Sequence, residues 1–300
     1  PPTLRTIGAN SSTVFNTTLE NLTQETLLGL DSITLEYTPV LASHWYIAED
    51  KLTYFFKIDE RARWNNGLAV TAFDVVATWD LLVSDGIKDP FSQESWNKFE
   101  RPRALSARIV MVKAKKLEWR NFQQFSGMSI LPEHIIGRIT AEEYMKHYQD
   151  KLMECSGPYI LEKVKTNQLI VLKKSNNWWQ LNFPESKGIY NFERIKFVFV
   201  TDENLQQEKF FKGEIDTLYV RSARKWVKEF TAENKAQIKN GYIVKQRIFT
   251  KSPAGIQGVA FNLREEPFND IRVRKAFYHL YNREKLMDTM FFGEYKYMDS

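Results

Sequence analysis

Residues 258–277 read GVAFNLREEPFNDIRVRKAF, and this stretch organises the whole chain. Residues 259–263 are apolar and predict a strand, and a polar turn containing Pro267 follows them. Asp270 stands at the predicted N-cap of a helix, because its carboxylate can accept backbone N–H groups there. Apolar side chains then repeat at helical spacing, at Val273, Ala276, Phe277, Leu280 and Tyr281. Pattern alone therefore predicts an ordinary strand–turn–helix joint.

A second strand–turn–helix unit lies nearer the start of the chain. Apolar residues alternate with other residues at Leu52, Tyr54, Phe56 and Ile58, which predicts a strand with one buried face. Residues 64–67 (WNNG) predict a tight turn, because an Asn-Gly pair adopts positive φ at little cost. Thr71 and Asp74 have the spacing of a capping box. The helix that they begin carries an apolar stripe at Ala72, Val75, Val76, Trp79, Leu82 and Val83.

The remaining segments carry weaker patterns. These predict strands at residues 4–8, 194–199, 214–219 and 242–249, a polar loop at 10–18, a hairpin at 159–164 and 169–174, and helices at 21–30 and 203–212. Gly213 is expected to end the last of these helices. Ser222 is expected to cap a short helix that carries Trp226 and Phe230.

Six motifs in a fixed order resemble the family 5 extracellular solute-binding proteins, the peptide- and nickel-binding receptors of ABC importers. The motifs are residues 39–45 (PVLASHW), 55–75 (FFKIDERARWNNGLAVTAFDV), 156–159 (SGPY), 176–179 (NNWW), 213–216 (GEID), and the joint with the NREKL that follows it. Asn66 and Ala69 stand at turn positions where the family usually has Asp and Pro, so we expect small local effects. Residues 189–192 (IYNF) and 291–295 (FFGEY) resemble the oligopeptide branch associated with uptake of microcin C.

This resemblance implies an α/β fold, the two-lobed periplasmic-binding-protein-like fold of type II, cluster C, with mixed sheets. The first lobe is expected at residues 1–35 and 155–260, and a small inserted α/β domain at 36–154. The hinge and the start of a truncated second lobe are expected at 261–300. The length of 300 residues agrees with more than one domain.

The function that the resemblance implies is capture of peptides outside the cytoplasm by hinge closure, followed by delivery to an ABC transporter permease. We expect the periplasm or the extracellular face of the cell membrane as the location, although this chain contains no visible signal peptide. Contact with the membrane is expected only through the permease or through a lipid anchor that is not visible here. The expected partners of the protein are then a peptide and the permease subunits.

The resemblance also implies ligand contacts, by position in the family. The N-terminal loop contributes Thr17, Thr18, Leu19 and Glu20; the inserted domain contributes Trp96; a strand end contributes Tyr219 and Arg221; and the hinge contributes Phe261 and Asn262. Packing in a core is an equally good interpretation of Trp96 and Phe261.

Other chemistry is weakly supported by the sequence. Lys and Arg (42) are interspersed with Asp and Glu (37), so the net charge of +5 does not indicate nucleic-acid binding. A single cysteine, Cys155, excludes an internal disulfide and is expected to be a small buried thiol. The four histidines are scattered, and no GxSxG or phosphate loop occurs, so we expect no metal, no cofactor and no catalysis. The alternatives are a peptide or oligosaccharide hydrolase, or a binding protein for nickel, a sugar or heme.

Overall fold

The computed structural model describes residues 3–252 and 258–295 of the chain. They belong to two compact units, Pro1–Val200 and Thr201–Ser300. The elements of the first unit are, in chain order, α1 (Val14–Thr23), β1 (Leu28–Leu30), β2 (Tyr37–Pro39), β3 (Ala42–Ile47), β4 (Thr53–Ile58), α2 (Ala72–Leu82), α3 (Pro90–Trp96), β5 (Arg103–Ser106), β6 (Ile109–Lys113), α4 (Asn121–Ser126), α5 (Glu133–Ile136), α6 (Ala141–His147), β7 (Tyr159–Lys165), β8 (Leu169–Lys174) and β9 (Arg194–Val198).

The strands of the first unit form three sheets. The largest has the order β3-β4-β6-β5, a second has the order β7-β8-β9, and β1 pairs with β2. Every pairing among these described strands is antiparallel, whereas the sequence predicted mixed sheets. The short turns between β3 and β4, β5 and β6, and β7 and β8 explain these three pairings, because parallel neighbours need long crossover connections. The α/β class itself is confirmed.

Two hydrophobic cores lie within this unit. The larger packs around the four-stranded sheet and includes Phe56, Trp64 and Phe125. The smaller joins Leu4 and Leu19 to β7 and β8, so the chain leaves this core early and returns to it after residue 151. That path supports the predicted division into a first lobe at 1–35 and 155–260 with an insertion at 36–154. The boundaries themselves stay a prediction.

The predictions for residues 52–83 are confirmed. In β4, Tyr54, Phe56 and Ile58 are buried and the residues between them are not. Gly67 has a φ of +89°, and its N–H donates to the Trp64 carbonyl over 2.8 Å. The stripe of α2 packs into the larger core except at Val76, which is half-buried and does not belong to that core. The hairpin of β7 and β8 and the strand β9 also form where predicted.

The start of the chain differs from its prediction. The helix α1 begins at Val14, inside the predicted loop, because the Thr13 hydroxyl accepts the Asn16 N–H and caps it. It ends at Thr23, and residues 28–30 of the predicted helix form β1 instead. Residues 4–8 form no strand. The Asn16 side-chain amide donates to the carbonyls of Thr3 (3.0 Å) and Arg5 (2.8 Å), which strand pairing would need.

The second unit contains α7 (Glu203–Phe211), α8 (Ala236–Lys239), α9 (Ile271–Leu280) and α10 (Arg283–Thr289). Gly213 follows α7 with a φ of +76° as predicted, and Asp270 caps α9 by accepting the Arg272 N–H over 2.8 Å. The Ser222 hydroxyl accepts the Lys225 N–H over 3.3 Å, and the turn that it caps, Lys225–Glu229, is π-helical.

The strands predicted at 214–219, 242–249 and 259–263 do not form. A strand needs a neighbour for its backbone N–H and C=O groups, and the described part of this unit contains no strand that could supply one. The apolar stripe of α9 is correspondingly exposed, and Leu280 keeps 80% of its side-chain surface accessible. Phe261 packs on Phe268 and Phe277, with ring centroids 5.1 Å and 5.4 Å away.

We expect the Asp74 side chain to contribute strongly to the stability of the first unit. Its carboxylate accepts the Thr71 N–H (2.6 Å) and, 59 residues away, the Glu133 N–H (2.7 Å), so it begins α2 and attaches α5. Asp74→Ala removes the acceptor of both part-buried hydrogen bonds and should lower the free energy of unfolding by about 2–4 kcal/mol, measured by urea denaturation.

Asp80→Ala is the matched control on the same helix. Asp80 pairs with Arg101 at an exposed site, so its loss should cost less than about 1 kcal/mol. Equal losses from the two variants would contradict the role assigned to Asp74.

Candidate functional site

A cavity of about 300 Å³ opens in the first unit. Its walls come from the segment before α1, one face of α1, the end of α2, α3 and the turn after α4. The lining residues are Thr6, Ile7, Gly8, Ser11, Ser12, Thr17, Glu20, Leu82, Asp89, Ser92, Trp96, Gly127, Met128 and Ser129. Hydroxyl groups dominate this list, and the aromatic side chain in it is Trp96.

Three of the predicted contact residues, Thr17, Glu20 and Trp96, meet in this cavity. Thr17 and Glu20 lie three positions apart on α1, a spacing that places two side chains on one helix face. Trp96 is the last residue of α3, almost 80 positions along the chain. The resemblance therefore selected residues that the fold brings together, and their role as ligand contacts stays a prediction.

The other two residues of the predicted contact loop lie elsewhere on α1. Leu19 is fully buried in the smaller core and does not line the cavity, and its contact with a ligand stays a prediction. The Thr18 hydroxyl donates to the Val14 carbonyl over 2.8 Å, and Thr18 does not line the cavity. The physical reason for both is that residues 17–20 are helical, so successive side chains point in different directions.

The four remaining predicted contacts belong to the second unit. Tyr219 is exposed over 83% of its surface, with the Arg221 guanidinium over its ring at 5.7 Å. Phe261 is half-buried in its aromatic cluster, and Asn262 accepts the Arg264 N–H with its side-chain oxygen. Their contact with a ligand stays a prediction.

Glu20 supplies charge to the cavity. Burial raises the pKa of its carboxyl, and a hydrogen bond with the Ser129 hydroxyl partly opposes that rise. Ser129 is itself placed by an antiparallel bridge to Thr26, close to the end of α1. The carboxyl therefore sits against a hydroxyl that the backbone holds, in surroundings where its negative charge is poorly solvated.

Trp96 is fixed on its far side by the larger core. Its ring meets Phe99 at 6.2 Å and Phe125 at 6.4 Å between centroids. Its backbone carbonyl accepts the Trp79 indole N–H over 3.2 Å. The indole that lines the cavity is thus held by packing, and it needs little rearrangement to meet a ligand.

The sequence interpretation missed most of the polar lining. Ser11 and Ser12 were placed only within a loop, and Asp89, Ser92 and Ser129 were not selected. Asp89 had a local signal, since an Asp before Pro90 is typical of a helix start, and its carboxylate does accept the Ser92 N–H over 3.2 Å. Ser129 had no local signal, because only its long-range bridge to Thr26 brings it to the cavity.

A buried acid outside the cavity, Glu25, links the end of α1 to three other segments of the first unit. The carboxylate of Glu25 accepts the indole N–H of Trp178 (2.9 Å) and of Trp179 (2.7 Å). Its backbone N–H donates to the Ser156 hydroxyl, and its carbonyl accepts the Ile130 N–H over 3.0 Å. Burial raises the pKa of Glu25 to about 7, although the indole and hydroxyl bonds oppose the rise.

Cys155 lies beside this group and is buried, as predicted. Burial raises the pKa of its thiol well above the ordinary value, so the thiolate form is disfavoured. In residues 3–252 and 258–295, no three His, Cys, Asp or Glu side chains form a group that could hold a metal ion. The helices of the same ranges are too short or too polar to cross a membrane.

Residues 36–300 match the model of the bacterial extracellular solute-binding proteins, family 5. The chain belongs to this family. The family is one of binding proteins, and the match covers the predicted insertion at 36–154, the return to the smaller core and residues 258–277, from which the sequence analysis began.

Individual family relatives agree. A putative binding protein of Brucella melitensis is 29% identical over 248 residues, which cover 80% of this chain and 38% of the relative. The dipeptide-binding protein DppE of Bacillus subtilis is 24% identical over 91% of this chain and 48% of its own length. The chain thus spans less than half of the curated relatives it matches.

A solved structure shows the same fold. The oligopeptide-binding protein AppA of Bacillus subtilis, in complex with a nonapeptide, superposes with a TM-score of 0.68 at 19% identity, over 94% of this chain and 53% of AppA. The family 5 fold predicted from the spaced motifs is therefore confirmed for this chain.

Glu25 should make the stability of the protein depend on pH. Because its folded pKa of about 7 exceeds the unfolded value, the stability that its protonated form contributes is fully present below about pH 4.5 and is lost as pH rises through 7. The loss is on the order of 3 kcal/mol. We expect the unfolding free energy of the native protein, minus that of Glu25→Gln, to fall by this amount from pH 4.5 to 8.

Denaturant titrations at several pH values measure this difference. Glu49→Gln is the control for the substitution itself, because Glu49 is an exposed turn residue. A difference for Glu25→Gln that does not change with pH would show that the Glu25 carboxyl is not perturbed by burial.

Proposed function

We propose that this chain is part of a receptor that captures peptides outside the cytoplasm and delivers them to the permease of an ABC importer. The observation that carries the proposal is the cavity of about 300 Å³ in which Thr17, Glu20 and Trp96 meet. Membership of family 5 supports it. So do two relatives, one named as a dipeptide-binding protein and one solved with a nonapeptide.

The chemistry of the cavity suits part of a peptide. Its hydroxyl groups can both donate to and accept from peptide N–H and C=O groups, whatever the peptide's side chains. The indole of Trp96 adds a rigid apolar surface. A volume of about 300 Å³ is at the lower end for ligand sites, so it holds one or two residues and leaves the rest of a peptide for other contacts.

The remaining contacts are assigned to a segment before the joint and to the joint itself. Tyr219, Arg221, Phe261 and Asn262 would reach the peptide when two lobes close about the hinge, the motion typical of binding proteins that enclose a ligand. We place the receptor in the periplasm or at the outer face of the cell membrane, with the permease subunits as its protein partners. Membrane contact would come through the permease or a lipid anchor.

Peptide binding tests this function. We expect the purified protein to bind the peptide Ala-Ala-Ala in isothermal titration calorimetry, and Trp96→Ala to weaken binding by about tenfold or more, because aromatic anchors dominate such contacts. Thr17→Val removes only a hydroxyl at an exposed helix position and should weaken binding by about threefold to tenfold.

Trp119→Ala serves as the control. Trp119 is exposed over 78% of its surface and does not line the cavity, so its loss should leave the affinity unchanged. No binding of this or other short peptides by the native protein would contradict the proposed function. Equal effects of Trp96→Ala and Trp119→Ala would contradict the assignment of the cavity.

A further inference from the structure

We propose that an exposed segment of the first unit, residues 113–120 (KAKKLEWR), binds the surface of a membrane that contains anionic phospholipids. We call this segment the basic loop. It connects β6 to α4, and none of its eight residues lines the cavity. The inference goes beyond the proposed function and does not depend on peptide binding. It adds a direct contact to the indirect membrane contacts named above.

The basic loop carries the one exposed tryptophan of the chain. All eight tryptophans lie in the described residues, and seven of them are buried or half-buried. Trp119 instead keeps 78% of its surface accessible, and Leu117, two positions earlier, keeps 65%. Two large apolar side chains of one short loop therefore face solvent, and an apolar phase outside the protein would shield them from water.

Positive charge accompanies these apolar side chains. Four of the eight residues of the basic loop are cationic. The guanidinium of Arg120 lies over the Trp119 ring, 4.4 Å from its centroid, and the three lysines are exposed. An apolar centre with cations around it is complementary to a bilayer whose headgroups carry negative charge.

The acids near the basic loop do not cancel this charge. The one acid of the loop, Glu118, pairs with Lys98, outside the loop, over 3.0 Å. Asp50, in the turn between β3 and β4, interacts electrostatically with Lys113. The ion pairs of residues 3–252 and 258–295 include none of the other three cations of the loop, which are Lys115, Lys116 and Arg120.

Hydrogen bonds hold the backbone of the basic loop in place. At its start, the Lys115 N–H donates to the Lys98 carbonyl over 2.8 Å. At its end, the side-chain amide of the buried Asn121 donates to the Lys116 carbonyl over 2.7 Å. The apolar side chains are thus presented by a fixed turn, so little conformational entropy is lost when they enter another phase.

This combination favours the interfacial layer of a bilayer over a protein partner. Tryptophan is enriched at that depth, because its ring is apolar while its N–H stays hydrated. Lysine and arginine reach the phosphates from there, and each adds roughly fivefold to the affinity for an anionic surface. A second copy of the chain fits poorly, because a symmetric contact would bring the same cations together.

Vesicle binding tests the proposal. We expect the purified protein to cosediment with vesicles of equal parts phosphatidylcholine and phosphatidylglycerol, and to bind vesicles of phosphatidylcholine alone at least about tenfold more weakly. Binding to the anionic vesicles should also weaken as NaCl is raised from about 50 to about 300 mM, because salt screens the charges. No binding to the anionic vesicles overturns the proposal.

Variants connect this binding to the basic loop. The double variant Lys115→Glu/Lys116→Glu should weaken it by about tenfold or more, because two attractions become repulsions. Trp119→Ala should weaken it by about fivefold or more, because the apolar area that enters the bilayer is lost. Lipids brominated on their acyl chains should quench part of the fluorescence of the native protein, and this part should be missing in Trp119→Phe.

Two variants in the same unit are matched controls. Lys163→Glu/Lys165→Glu makes the same change in net charge at exposed positions of β7. Phe192→Ala removes an exposed ring that stands next to an acid, Glu193. Both should bind the anionic vesicles within about twofold of the native protein, because neither alters the basic loop.

The remaining outcomes each overturn the proposal. Vesicle binding that survives both loop variants places the contact on another surface. Binding of soluble polyglutamate as tightly as vesicles, with no effect of Trp119→Ala, shows an ionic patch for an acidic protein. A dimer that Trp119→Ala dissociates shows that a second copy covers the loop. None of these outcomes bears on the proposed function, because the peptide titrations measure a cavity that the loop does not line.

Discussion

The first unit depends on a close backbone crossing between residues 23–25 and 155–157. The Gly157 N–H donates to the Thr23 carbonyl over 3.0 Å, and a side chain at Gly157 would place its first carbon only 2.8 Å from the Thr23 carbonyl carbon. Only glycine allows the two segments to approach this closely. The crossing joins the end of α1 to the segment that returns to the smaller core. It therefore helps to position α1, which forms one wall of the cavity.

Glu25 strengthens the same crossing at an electrostatic cost. Its carboxyl group accepts hydrogen bonds from two indoles, and its N–H donates to the Ser156 hydroxyl. Its carbonyl accepts the Ile130 N–H, and Ile130 follows Ser129, whose hydroxyl is hydrogen-bonded to Glu20. Bringing an acid into this site is expensive unless donors surround it. The two indole N–H groups offset part of that expense, and the pKa of Glu25 stays raised because the effect of burial is larger than theirs. The cavity residue Ser129 is thus one position from a residue bonded to Glu25, whose carboxyl changes its charge near neutral pH.

Sequence reasoning succeeded where a local signal decides the structure. The capping box of α2, the turn at Gly67 and the cap at Asp270 all depend on a few neighbouring residues, and all form as predicted. It failed where distant partners decide. Asn16 removes the strand at residues 4–8, and the predicted strands of the second unit have no described neighbour to pair with. In the cavity, family resemblance selected Thr17, Glu20 and Trp96, but only the helix explains why Leu19 is excluded.

That helix supplies one wall of the cavity in which we propose that a peptide binds. One face of α1 carries Asn16, Leu19 and Thr23, all buried, and the adjoining face carries Thr17 and Glu20 toward the cavity. Because the buried face anchors the helix in the smaller core, the polar face is presented by a fixed element and not by a loop. Little conformational entropy is then lost when a ligand binds, so more of the interaction energy appears as affinity. For the peptide that we propose as the ligand, such a face offers the Thr17 hydroxyl and the Glu20 carboxyl from a helix that is already in place.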